Sequence, residues 1–372
     1  MKFMDESIAY QLFCDFVQLE SPSLHEGKVA RRCQEELERL GCQVEFDTAG
    51  DELGGETGNL YATLPGDDSR VPILLTAHMD TVAPGVGIRP QLGPDGVIRS
   101  DGTTILGADD KVGITAILLA LRKLVLRGDS HGPIQVVFTI AEELGLRGSA
   151  AADAGRLFAK YGLCLDSGGE PGTFVVGGPS QIRWQAEVRG RAAHAGVAPE
   201  QGISAIQVAA RAVARIPHGR IDAESTVNIG SFIGQGPTNV VRDKVQIIGE
   251  ARSLSDVRLQ QIMDDMEAVF REVATRHGAE LDFIYHQTYR GFRFDRTHPL
   301  PRLAEMAARR AGLSPKAVTS GGGSDANHFT AMGIPTLNVG VGYQDIHSPQ
   351  ERVAARDIVR AARFVYEFLR LA

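Results

Sequence analysis

The chain has few cysteines. Cys14, Cys33, Cys42 and Cys164 are spread over 372 residues with no CxxC spacing. That density argues against a disulfide framework or a zinc ribbon and reads as free, buried thiols in a reducing compartment. No apolar run of about 18 residues is present, so a membrane-spanning helix is not expected. The opening Met1-Lys2-Phe3-Met4-Asp5-Glu6 lacks the basic-then-apolar order of a secretory signal. Positive charge is not in excess either: 39 Lys and Arg face 46 Asp and Glu, a formal net charge of −7. There is thus no electrostatic reason to expect nucleic acid or an anionic membrane as partner. Aromatic residues make up 6%, and the one tryptophan, Trp184, lies in an alternating stretch that suits a core or an interface better than a ligand platform. No internal repeat or low-complexity tail is seen. A cytoplasmic location is the expectation.

What is present is ordinary for a globular protein, with 43% hydrophobic and 23% charged residues. The length favours two domains. Helical spacing runs from Ser7 to Leu19 and from about His25 to Leu40, and Gly41 supplies a stop. Apolar runs at 43–46, 59–64, 72–76, 134–140 and 163–165 read as strands, with a helix from about Lys111 to Leu126 between them. This alternation predicts an α/β domain built on a mixed sheet flanked by helices. After Gly177-Gly178-Pro179 the pattern changes to strand (181–188), helix (204–216), strand (226–229), strand (240–250), helix (254–277) and strand (280–286). That order predicts a small α+β sandwich. From about Phe294 the α/β character returns, with helices at 301–311 and 357–371 and a strand at 334–339. The expected catalytic domain is therefore discontinuous, residues 1–177 and 293–372, with residues 178–292 inserted as a lid or dimerisation domain.

Acids and histidines recur where the apolar runs end. His78 and Asp80 close Val71-Pro72-Ile73-Leu74-Leu75-Thr76-Ala77-His78-Met79-Asp80, Glu142-Glu143 follow the run ending at Ile140, and Asp166 follows Leu163-Cys164-Leu165. Asp109-Asp110 stand immediately before the helix at Lys111, where one carboxylate can cap the helix and the other can point away. Strands ending in clustered imidazoles and carboxylates suggest one sheet rim lined with metal ligands, since converging negative charge is costly without cations. Taken singly, each element has a plainer reading as a strand-end histidine, a helix cap, a solvated loop pair or a turn. Their repetition in one setting indicates a metallohydrolase.

These segments resemble a known family. Ala77-His78-Met79-Asp80-Thr81, Gly107-Ala108-Asp109-Asp110-Lys111, Ala141-Glu142-Glu143, Leu165-Asp166-Ser167-Gly168-Gly169 and Ile346-His347-Ser348 resemble the co-catalytic zinc peptidases of family M20, in particular its tripeptidase T-like branch. The resemblance covers nearly the whole chain and implies a zinc-exopeptidase-like fold. It implies that Asp109 bridges two divalent cations, with His78 and Asp166 completing one site and Glu143 and His347 the other. Asp80 would orient His78, and Glu142 would be the general base. Zinc is the expected metal, and the ligand set also suits cobalt or manganese. Ala141 departs from the pattern, since a proline or an acid often precedes the glutamate pair.

The same resemblance carries a second set of residues. His194, in Arg191-Ala192-Ala193-His194-Ala195-Gly196, would donate to the substrate carbonyl or oxyanion, either in a closed state or across a homodimer. Asn239 and Arg252 would hold substrate, Arg252 through its planar fork. Gly322 and Gly323, in Gly321-Gly322-Gly323-Ser324-Asp325, would form a substrate loop; no Lys-Ser or Lys-Thr follows, so it is not a nucleotide P-loop. The implied activity is removal of the N-terminal residue from short peptides, chiefly tripeptides. Two alternatives accompany it: an amidohydrolase or carboxypeptidase acting on N-acyl amino acids or dipeptides, and a non-catalytic metal-binding scaffold. An intact Glu142 argues against the scaffold, which has no need of a base.

Overall fold

The computed structural model describes residues 4–372, so the reading of Met1-Lys2-Phe3 lies outside the described residues. Two compact units are formed. One comprises the chain up to Val176 together with Phe294–Thr319 and Ser324–Ala372; the other comprises Gly177–Arg293 and Ser320–Gly323. The boundaries differ from expectation at Gly177 and Arg293, which fall in the second unit, and at the glycine loop. The glycine loop was placed with the first unit, but Gly321, Gly322 and Gly323 belong with the second.

The first unit is built on a mixed sheet. Its four inner strands, in spatial order Ile134–Thr139, Ile73–His78, Tyr161–Ser167 and Thr336–Gly340, are parallel neighbours. Antiparallel strands flank them, Leu60–Leu64 and Gln43–Phe46 on one side and Thr173–Gly178 on the other. Ile73–His78 and Ile134–Thr139 are buried at every position. The pleat explains why. Ile73, Leu75 and Ala77 join Ile134, Val136 and Phe138 in the main core, whereas Leu74 and Val137 face a second cluster with Tyr61, Phe329 and Ile334. A parallel sheet covered on both faces needs continuous apolar runs, and these strands have them. The helix Ala108–Arg127 closes at Gly128, whose φ of 63° is the left-handed conformation that glycine adopts without strain.

The second unit holds a five-stranded antiparallel sheet in the order Gly219–Arg220, Ser225–Ile233, Lys244–Ser253, Ser180–Arg189, Glu280–Tyr289. Helices Ala205–Val213 and Asp256–Arg276 cover one face, each started by a serine, Ser204 and Ser255, whose hydroxyl accepts a first-turn N–H. The predicted strand at Val240 begins later, at Lys244. Val240 and Val241 pair instead with the His194 segment, through the His194–Val240 bridge and the Val241 N–H to the Ala193 carbonyl at 2.9 Å.

Trp184 is a core residue of this unit, 1% exposed and stacked on Phe283 at 5.8 Å between ring centroids. The four cysteines are free thiols, three of them buried. No helix among the described residues is long and apolar enough to cross a membrane.

Gly249 lies opposite Trp184 in the ladder. A Cβ there would come within 2.4 Å of both Trp184 Cζ2 and the Asn228 carbonyl oxygen. Gly249→Ala is expected to destabilise the protein by about 1–3 kcal/mol, the usual cost of overpacking a filled core. Denaturant unfolding of the variant would measure it, and an unchanged midpoint would contradict the packing argument.

Candidate metal centre

The four inner strands run the same way, so their carboxyl ends open on one edge, where ligands of open α/β sheets bind. His78 ends its strand, Asp166 is the penultimate residue of Tyr161–Ser167, Glu142 and Glu143 follow Ile134–Thr139, and His347 follows Thr336–Gly340. Asp109 joins them from the start of Ala108–Arg127. Helical dihedrals begin only after Asp110 (Asp109 φ −81°, ψ 105°; Asp110 φ −120°, ψ 38°), and the peptide between the two acids is cis. The acids divide the work as expected. Asp110 Oδ1 accepts the Gly113 N–H at 3.0 Å, a helix cap, and Asp109 faces the imidazoles.

Asp109 offers one oxygen to each histidine: Oδ1 is 3.0 Å from His78 Nε2 and Oδ2 is 3.3 Å from His347 Nε2. His78 Nε2 also lies 3.9 Å from Asp166 Oδ1, and His347 Nε2 lies 2.9 Å from Glu143 Oε1. Ligand atoms of His78, Asp109 and Asp166 fall within 4.8 Å of one another, as do those of Asp109, Glu143 and His347. Two triads sharing one carboxylate suit a pair of divalent cations in donor type and in spacing. His78, Glu142 and Glu143 form a third such group. The direct bond to His347 falls on Glu143 and not on Glu142.

Asp80 does more than orient His78. His78 Nδ1 is 3.1 Å from the Asp80 carbonyl oxygen and 3.3 Å from its carboxylate. The carboxylate also accepts the N–H groups of Glu142 (3.0 Å) and Glu143 (3.2 Å) and the Ser23 hydroxyl (2.6 Å). It therefore fixes the loop that carries both glutamates. Ala141, just before them, has φ 50°, and its N–H is held by the buried Glu26 at 2.9 Å.

Several residues here escaped sequence reasoning. The Asn338 side chain brackets Asp166, accepting its N–H at 3.1 Å and donating to its carbonyl at 2.6 Å, and the Tyr343 hydroxyl donates to Asp166 Oδ1 at 3.0 Å. Lys111, 1% exposed, donates to the Met79 carbonyl at 2.6 Å. Glu351, 1% exposed, accepts backbone N–H groups beside Asp109. An asparagine inside the apolar run 336–340 and a glutamate four positions after His347 were the available signals.

Charge at this edge strongly perturbs ionisation. Burial and the Asp166 charge push Glu142 up; burial and the Asp109 charge do the same to Asp166. Burial opposes ionisation of Asp109, but bonds to His347 and His78 outweigh it and hold the carboxyl low. Burial likewise disfavours the His78 cation, and bonds to Asp109 and Asp80 more than reverse that. Bonds to Asp109 and Glu143 push His347 up to about 10. Both imidazoles thus hold protons where cations would sit.

The second-unit residues occupy a different setting. His194 is exposed, and its Nδ1 accepts the N–H groups of Gly196 and Val197, both at 3.2 Å. With Nδ1 accepting, Nε2 is the ring nitrogen left to donate. Asn239 is exposed. Arg252 forks onto Glu250, at 2.9 Å and 3.2 Å. Gly322 donates its N–H to Ser320 Oγ at 3.0 Å. At Gly323 a Cβ would sit 2.3 Å from the Tyr289 ring, so packing alone requires glycine there.

Comparison with known proteins agrees with the motifs. Residues 74–371 match the model of Peptidase family M20/M25/M40. The chain belongs to this family. An uncharacterised Bacillus subtilis (strain 168) protein, YqjE, is 40% identical over 362 residues, covering 97% of each chain. The crystal structure of aminopeptidase PepT from Bacillus cereus ATCC 10987 superposes with a TM-score of 0.93 at 41% identity, over 99% of both chains. That of a tripeptidase from Staphylococcus aureus subsp. aureus Mu50 gives 0.95 at 36% identity, over 99% of this chain and 98% of the other. The α/β fold with its mixed, helix-flanked sheet is that of the M20 peptidases, and the chain is a metallopeptidase of the family.

Protons and cations compete for the same imidazoles, so binding a divalent cation to the chelator-treated M20 peptidase should release protons. His347 titrates near 10 without a cation and is therefore charged at pH 7. Its displacement gives apparent affinity an increase of about tenfold per pH unit for each proton released. Calorimetric titration in buffers of different ionisation enthalpy checks this, and buffer-independent heats would contradict it.

Proposed function

We propose that this M20 peptidase is a tripeptide aminopeptidase, releasing the N-terminal residue of short peptides. The two triads sharing Asp109, with Glu142 beside them, carry this reading. The likeness to PepT and to a tripeptidase over nearly the full chain selects short peptides as the substrate class. Zinc is the proposed metal, held by His78, Asp109 and Asp166 on one side and by Asp109, Glu143 and His347 on the other. The four free thiols fit a reducing, cytoplasmic setting.

Bound there, the cations would polarise the scissile carbonyl and lower the pKa of water. Glu142 takes the proton of the attacking water and returns it to the leaving amine. Its backbone N–H is anchored on Asp80, so the loop that carries it is fixed before substrate arrives. Asn338 and Tyr343 keep Asp166 from rotating away. His194, with Nε2 left to donate, is proposed to donate to the substrate carbonyl oxygen as it gains charge. Asn239, Gly322 and Gly323 are proposed to hold the rest of the peptide. The inserted unit is proposed to be the lid or dimerisation element.

The test is a mass-spectrometric panel of tripeptides, dipeptides and N-acetyl amino acids with zinc, cobalt or manganese added. Release of the first residue from tripeptides is expected to dominate, and preferential cleavage of N-acyl amino acids would overturn the reading. Glu142→Gln is expected to bind cations normally while turnover falls by orders of magnitude. Near-normal turnover in a cation-replete sample would assign the proton transfer elsewhere. His194→Ala is expected to lower kcat sharply with both cations retained, and unchanged kinetics would remove His194 from the reaction.

A further inference from the structure

The loop before Asp109 has donors that its own helix cannot satisfy. The N–H groups of Leu106, Gly107 and Asp109 precede the first helical turn, and Gly107, in the N-cap position, has no side chain to cap it. A single distant carboxylate takes all three. Glu351 Oε2 accepts from Leu106 and Gly107, both at 2.7 Å, and Oε1 accepts from Asp109 at 2.9 Å. Hydrogen bonds to an ionised acceptor are about twice as strong as neutral ones, and three of them on one buried group make a rigid joint.

The other side of the joint is the His347 loop. It is pinched at its base by Gln344 and Arg352, which exchange backbone bonds at 2.9 and 3.0 Å, and by the Arg352–Asp345 ion pair. Glu351 stands at that base, its N–H on the Ser348 carbonyl at 3.0 Å. Directly after it, Arg352–Ala354 pairs with Val97–Arg99 and so anchors the chain. Within the loop Asp345 (φ 52°) and His347 (φ 61°) hold left-handed conformations that non-glycine residues adopt only under constraint. One side chain therefore ties together the loop that presents His347 and the loop that presents Asp109.

We propose that Glu351 is a positioning residue that couples these two loops, so that Asp109 and His347 form the second cation site as one unit. The proposal rests on the reading of Asp109, Glu143 and His347 as ligands. Glu351 touches no cation and no substrate; it sets the separation of two groups that do. The site of His78 and Asp166 depends on it less, because those ligands are held by their own strands and by Asp80, Tyr343 and Asn338.

The experiment titrates chelator-treated full-length protein with zinc by calorimetry, for wild type, Glu351→Ala, Glu351→Gln and His347→Ala, with thermal melting alongside. In Glu351→Ala the binding step that His347→Ala abolishes is expected to lose about 10–100-fold in affinity, as when a partner that orients a ligand is removed. The other step is expected to change several-fold less. Glu351→Gln, near in shape, is expected to fall between: its one carbonyl oxygen serves Leu106 and Gly107, and its NH2 opposes the Asp109 N–H. A lowered melting temperature with both steps unchanged would mean that Glu351 only stabilises the fold, and would overturn the proposal. If Glu351→Ala does not fold, Glu351→Gln decides by the same criterion. His347→Ala separates the two readings. Its loss of one step confirms the ligand set whatever Glu351 does, whereas two intact steps would remove that ligand set and the proposal with it.

Discussion

A carboxylate between two imidazoles sets the terms for the rest of the first unit. Asp109 spans from His78 Nε2 to His347 Nε2, at 3.0 and 3.3 Å, with Asp166 and Glu143 pressing from either side. So much negative charge, mostly buried, is expensive in a medium of low dielectric unless each oxygen ends on a donor or a cation. The parallel strands solve the problem of convergence, because their carboxyl ends deliver side chains from distant parts of the chain to one edge. They do not solve the problem of orientation, since every member of the two triads except His78 and Asp166 stands on a loop.

Orientation comes from polar side chains that grip backbone. Asp80 holds the N–H groups of Glu142 and Glu143, Glu26 holds that of Ala141, Asn338 holds both sides of Asp166, and Glu351 holds three donors before and at Asp109. Each satisfies peptide groups that would otherwise lie buried and unpaired, a debt of about 1–3 kcal/mol apiece. Packing energy and site geometry are thus the same interactions seen from two sides. Replacing one of these side chains would loosen a loop and strand its donors together.

Much of this was legible in the sequence, and the reasons are specific. Ile73–His78 and Ile134–Thr139 announce themselves because burial on both faces demands unbroken apolar runs. His78, Asp80, Asp109, the glutamate pair and Asp166 stood out because acids and histidines are unusual at such positions, whereas His347 was reached only through the family resemblance. Short strands such as Arg352–Ala354 did not, since their pairing with Val97–Arg99 is a tertiary event without local pattern. Val240 and Val241 read as the start of a strand, but the chain there pairs with the His194 segment, through the His194–Val240 bridge and the Val241 N–H to Ala193. The pairing of Arg252 with Glu250, two positions earlier and on the same face, has no signal in the sequence beyond their spacing. Glu351 was hidden because its importance lies in backbone groups 242–245 positions away.

Lys111 is a cation of a different kind from those proposed for the triads. Its ammonium is enclosed and bonded to the carbonyl of Met79, the residue between His78 and Asp80. Tethered by its own backbone, it cannot be chelated away, and salt barely screens a charge so far from solvent. It is also out of reach of acylating reagents while the chain is folded, so modification of this amine would report the opening of the strand edge itself.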